Sequence, residues 1–196
     1  SHDKKINKLY IYWLFGSLSL IFLMIIIGGL TRLTNSGLSI TEWELFRGII
    51  PPLNKTGWEN YFEAYKKIPQ FKMINPTMDL SEFKIIFYWE YVHRILGRVI
   101  GLFIIIPLFY FHFVKKIKFK KLIHSYLVLI LVLFQGSLGW YMVQSGLTND
   151  VTVSHYRLSL HLVTAIIIIS ILFWQILNFR SNKIKVFLSF SFQNFP

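Results

Sequence analysis

Long apolar runs separated by compact polar segments dominate the chain. Four of them, Leu9 to Leu30, Ile85 to Phe113, Leu122 to Val143 and Leu158 to Phe179, reach the roughly 20 mostly apolar residues that a bilayer-crossing helix needs. They predict an all-α integral membrane fold, an up-and-down four-helix transmembrane bundle forming one domain over residues 1–180. The first run is too long for the apolar core of a signal peptide and ends in "GGLTR" without a small-residue cleavage pattern, so it reads as a retained helix. The remaining residues, 181–196, form a short tail that is apolar but too short for a fifth crossing.

The segment 31–84, between the first two spans, is 54 residues long, too long for a mere connection, and predicts a partly helical outer loop. Ser39-x-x-Glu42 and Thr56-x-x-Glu59 both fit the capping box that satisfies orphan amides at a helix start. After the second, Trp58, Tyr61, Phe62 and Tyr65 make an aromatic stripe at i, i+3, i+4 and i+7. Such a stripe either packs on its own domain or lies on a membrane surface. Pro51-Pro52 and Asn75-Pro76 mark the breaks between pieces.

Composition agrees with the pattern: 54% hydrophobic, 18% aromatic and only 15% charged exceed what soluble chains of this length carry. The net charge of +12 resembles a nucleic-acid signature until it is located. The segment before the first span, the "VKKIKFKK" connection between spans two and three, and the tail supply +10 of it. The long loop is nearly neutral, with seven basic and six acidic residues, and the loop before the fourth span holds only Asp150. By the positive-inside rule this places both termini in the cytoplasm. The charge reports topology, and no nucleic-acid partner is implied. The absence of cysteine removes disulfides and thiolate metal sites.

Against that background the start of the second span is unusual. "YWEYVHRILGRVIG" (88–101) places Glu90, His93, Arg94, Gly97 and Gly101 on one helical stripe, with Arg98 beside it. Intramembrane charges are tolerated when they face the bundle interior or a hydrated cavity. The fourth span carries a counterpart, "VSHYRLSLHLVTA" (153–165). His161 lies as far from Val153 as His93 does from Lys84, within a residue. The two spans run parallel and sit on one diagonal of an up-and-down bundle, so both imidazoles are expected at similar depth across the core. That arrangement suits haem held by His93 and His161 as axial ligands.

Gly97 and Ala165, each four residues after its histidine, would leave room for a flat macrocycle. Arg94, Arg98 and Arg157 would pair with its propionates. Glu90 is the only acid within the spans, which argues against a carboxylate-rich di-iron site. Each residue also has a structural use: a membrane histidine can be a packing residue, Gly97-x-x-x-Gly101 a helix-packing motif, and Arg98 a snorkelling side chain or a partner of Glu90. His155 reads as a surface or propionate-contact residue, and His112 and His124 as interfacial ones.

Four stretches in order, "GGLTRLTNSGLSITEWELFRGIIPPLN" (28–54), "FYWEYVHRILGRVIG" (87–101), "QGSLGWYMVQSGL" (135–147) and "SHYRLSLHLVTA" (154–165), together resemble the N-terminal half of the haem A synthase family. The resemblance implies an integral membrane oxidoreductase that converts a ring methyl of haem O to the formyl group of haem A for cytochrome c oxidase assembly. It maps the catalytic carboxylate onto Glu90 and the substrate-haem histidines onto His93 and His161. It implies the cysteine-free branch, a haem O supplier (haem O synthase) and an external electron acceptor, for this chain has no flavin, nicotinamide or cluster motif. Full-length relatives carry two such halves, the second expected to hold a haem b. This chain is therefore expected to be a truncated or split half, or to work as a homodimer. The alternative is a non-enzymatic bis-histidine b-type cytochrome, which would use the histidines without needing Glu90.

Overall fold

The structure, a computed structural model, describes residues 2–42, 49–148 and 151–180; the tail and Asp150 lie outside the described residues. Four long helices, α1 (His2–Leu33), α4 (Leu80–Phe109), α5 (Phe119–Thr148) and α6 (His155–Arg180), form the bundle. Two shorter ones, α2 (Lys55–Lys66) and α3 (Pro69–Ile74), occupy the long loop. Each long helix contains a stretch long and apolar enough to cross a membrane. Each of these helices begins a few residues before the apolar run predicted for it. α1 packs against α4 and α6, and α5 against α6 and α4, which puts α4 and α6 on one diagonal. Phe22, Leu102, Ile106 and Ile130 are more than half exposed, as side chains facing lipid tails are, because lipid solvates apolar surface as well as protein does.

The helix ends follow from local chemistry. α1 stops at a Schellman motif: Asn35 takes the left-handed conformation (φ 52°), and the Ser36 and Asn35 amides donate to the carbonyls of Thr31 and Arg32. The turn aims residues 36–40 at the side of α4. α4 starts at a full capping box, with the Asp79 carboxylate accepting from the Ser81 and Glu82 amides and the Glu82 side chain returning to the Asp79 amide. The Ser81 hydroxyl and these amides hold the Asp79 carboxyl below its ordinary value of 3.8. Because the folded value is depressed, the cap contributes fully above pH ~3.8 and is lost as pH falls through the folded value. Lower protection of the Ser81 and Glu82 amides, relative to their intrinsic exchange rates, is expected once pH falls through that folded value, and in Asp79→Ala at neutral pH.

Two of the expected caps are corrected. α2 begins at Lys55 with Asn54 as its cap, accepting from the Gly57 amide at 2.8 Å, so Thr56 is already inside the helix. No helix starts at Ser39, whose hydroxyl is used elsewhere. The aromatic stripe is settled as protein packing: Trp58, Phe62 and Tyr65 are buried, and their rings meet Phe87 or Phe83 at 4.9 to 5.2 Å between centroids. The sequence reading did not anticipate α3, which Pro69 opens at its first position. It ties the loop down through Gln70, which accepts from the Tyr65 hydroxyl and donates to the Asn35 carbonyl.

Two apolar clusters result. One lies beneath the loop and includes Leu38, Trp58, Phe62, Tyr65, Phe83 and Phe87. The other fills the far half of the bundle, with Leu14 and Ile21 from α1, Ile100 and Ile104 from α4, Val128 and Leu129 from α5, and Ile168 and Leu172 from α6. On each long helix, the residues between this core and the loop end carry the polar chemistry.

Candidate functional site

That interval contains Glu90, His93, Arg94, Gly97 and Arg98 on α4, between Phe87 of one cluster and Ile100 of the other. It contains Arg157 and His161 on α6, before Ile168, and Gly28 on α1, after Ile21. On α5 it contains Gln135 and Gly139, after Leu129.

The two imidazoles are set at nearly one level. A Cβ on Gly28 would lie 3.4 Å from His93 Nε2, so His93 is level with Gly28. One turn above Gly28, Arg32 Nη2 lies 3.3 Å from Nδ1 of His155, at the start of α6. His161 is six residues below His155, so at about 1.5 Å per residue its level differs from that of His93 by about 3 Å. A Cβ on Gly139 would lie 3.5 Å from His161 Cε1. Each histidine therefore stands against a glycine of a neighbouring helix. Among the described residues neither imidazole makes a hydrogen bond, and His161 Nδ1 is buried without a partner.

The carboxylate has a different environment. Glu90 is only 3% exposed. Its Oε1 accepts from Arg94 Nη2 at 2.6 Å and Nε at 3.0 Å. Its Oε2 accepts from Ser39 Oγ at 2.7 Å and the Ile40 amide at 2.9 Å. Arg94 continues to the carbonyls of Ile40 at 2.9 Å and Glu42 at 3.3 Å. Charge-assisted bonds of this kind are about twice as strong as neutral ones. Glu90 and Arg94 thus clasp the segment after α1 onto α4, one turn above His93.

A model of the cytochrome oxidase assembly protein family matches residues 11–193. The chain belongs to this family. It is 54% identical over 179 residues to the heme A synthase of Pelagibacter ubique, covering 89% of this chain and 52% of the relative. Over similar shares it is 48% identical to the heme A synthase of Rickettsia felis across 174 residues, and 47% identical to that of Flavobacterium psychrophilum across 176 residues. The chain spans about half the length of the curated relatives it matches. No solved structure matches it. Family membership and the four apolar helices together make this cytochrome oxidase assembly family member an integral membrane protein.

The remaining sequence-derived candidates divide by location. Arg94, expected to pair with propionates, directs its guanidinium to Glu90 and to the loop carbonyls. Arg98 lines a cavity of about 10 Å³ with Arg94, Tyr91 and Ile40. Arg157 donates to Ser145 Oγ and lies 4.8 Å from the Tyr141 ring centroid, joining α6 to α5. Ala165 is buried, whereas the space beside Gly97 is taken by the Met24 methyl, 3.3 Å from where a Cβ would be. Gly28, Gly139, Gln135 and Arg32 were missed. The "GGLTR" and "QGSLG" stretches were visible in the sequence, but only the helix pairing shows which histidine each glycine faces.

Proposed function

We propose that this chain is a haem A synthase unit, oxidising a ring methyl of haem O to the formyl group of haem A, with both termini on the cytoplasmic or matrix side. The observation that carries the reading is the pair of unbonded imidazoles at matched level on diagonal helices, each facing a glycine. Porphyrin iron takes axial imidazoles, and the surroundings fit this class of ligand better than a bare ion. Among the described residues no group of three or more His, Asp or Glu side chains converges on a metal-sized point. Haem O is here the substrate, held by His93 and His161, with Arg98 and Arg157 nearest to its charged edge and Ala165 below His161.

Methyl-to-formyl conversion with water as oxygen source releases four electrons and four protons per ring methyl, by simple atom balance. An external acceptor takes the electrons, and Glu90, one turn from His93, takes protons. Arg94 and the Ile40 amide fix its orientation. Ser39 Oγ is the rotatable neutral donor of the set, so a reacting water displaces it at least cost.

The test is co-expression of the chain with a haem O source, followed by haem extraction and mass analysis. Hydroxylated or formyl haem supports the synthase reading. Bound haem that stays chemically unchanged would instead establish the b-type cytochrome. A steric prediction accompanies it. Gly28→Ala places its methyl at ordinary contact with His93 and is expected to retain haem. Gly28→Leu overpacks that point and is expected to lower the haem-to-protein absorbance ratio several-fold.

A further inference from the structure

The stretch Gln135–Leu147 belongs to the family signature but has had no chemical role. Gln135 lies on α5 one turn below Gly139, the residue against the His161 ring. Its Nε2 donates to the His161 backbone carbonyl at 2.9 Å. That bond fixes the amide's orientation, because a carbonyl oxygen accepts only from the NH2 end. Gln135 Oε1 is therefore a buried acceptor with no donor, and His161 Nδ1 is buried without a partner in the same α5–α6 contact. A neutral imidazole that offers Nε2 to iron carries its proton on Nδ1. The two orphans are thus an acceptor and a donor, on residues already joined by the bond from the Gln135 side chain to the His161 backbone.

We propose that Gln135 is the positioning residue of His161: its Oε1 accepts the Nδ1–H when His161 ligates haem, fixing the tautomer and the plane of the ring. This role rests on the reading of His161 as a ligand. Gly139 supplies the freedom the motion needs. It meets the ring at Cε1, the carbon between the two nitrogens, with only a hydrogen in place of a side chain, so the imidazole can tilt toward Gln135. The amide needs only a side-chain rotation, since its anchor is on the same residue it would orient. Acceptors on the distal nitrogen of a ligating histidine raise its basicity and are worth about 10–100-fold in metal affinity.

The experiment compares the wild-type chain with Gln135→Leu and Gln135→Glu. Each is purified in detergent and titrated with haemin, and haem affinity, midpoint potential and low-spin electron paramagnetic resonance g-values are recorded. Gln135→Leu is expected to lose about 10–100-fold in affinity and to shift the potential positive. Gln135→Glu, a stronger acceptor, is expected to keep binding and shift the potential negative, which a packing role would not produce. If Gln135→Leu does not elute as a single peak, the sign of the Gln135→Glu shift decides alone. Unchanged potentials and g-values, or shifts of the same sign in both variants, would overturn the proposal while leaving His161 ligation intact. A wild-type haem spectrum that survives His161→Ala unchanged would overturn the ligand assignment itself, and this role with it.

Discussion

Glu90→Ala is expected to destabilise the protein by about 3–5 kcal/mol, the usual cost of leaving one member of a buried ion pair unopposed. The Glu90 side chain is 3% exposed and that of Arg94 14%, so water cannot replace the lost partner. The Ser39 hydroxyl and Ile40 amide lose their acceptor as well. The measurement is thermal unfolding of the detergent-solubilised chain. Glu90→Gln keeps a carbonyl for either set of donors and is expected to cost less. Loss of activity in either variant would mix a chemical role with a structural one. A double variant separates them. Glu90→Gln with Arg94→Met removes both charges, and replacing a whole buried pair is often neutral. It is expected to bind haem O and unfold close to the wild-type temperature, yet to yield no hydroxylated or formyl haem. Formyl haem from the double variant would remove Glu90 from the chemistry and leave it as a loop clasp.

The same clasp shows where sequence reasoning reaches its limit. Spans, helix starts and the polar stripe are local patterns. Asp79 and Glu82, whose capping box opens α4, are three residues apart, so that cap closes within a local window. Ser39-x-x-Glu42 has the same local form, but Ser39 serves a carboxylate 51 residues away. Nothing local distinguishes a hydroxyl that caps its own helix from one that meets another. The same holds for Arg94, whose partners beyond Glu90 are carbonyls of a loop that the turn at Asn35 brings within reach. α4 begins 13 residues before His93 and α6 only six before His161, so distance from the helix starts does not set their common level. The excess of α4 rises beyond the start of α6 and packs under α2, so the level of the imidazoles depends on α1 and α5, through Gly28 and Gly139.

His93→Ala and His161→Ala are each expected to abolish stoichiometric haem retention, read as loss of the Soret band from the purified chain, with little change in unfolding temperature of the haem-free form. The second half of that expectation distinguishes a ligand from a packing histidine. Among the described residues neither imidazole makes a hydrogen bond whose loss would strand a partner, and both are only half-buried. Truncation therefore removes ring contacts and frees no buried donor or acceptor on another residue. In the haem-loaded form the balance reverses, because a ligand that binds only the folded state adds stability in proportion to the logarithm of its saturation, about 2.7 kcal/mol at a hundredfold excess over its dissociation constant. Wild type should thus gain thermal stability on haem addition, and the two alanine variants should not. Added imidazole is expected to restore part of the Soret band in either variant, since it can occupy the vacated space beside Gly28 or Gly139. A haem-free variant that unfolds well below the haem-free wild type, or a Soret band unaffected by both substitutions, would show instead that these histidines pack the bundle and that iron is held elsewhere.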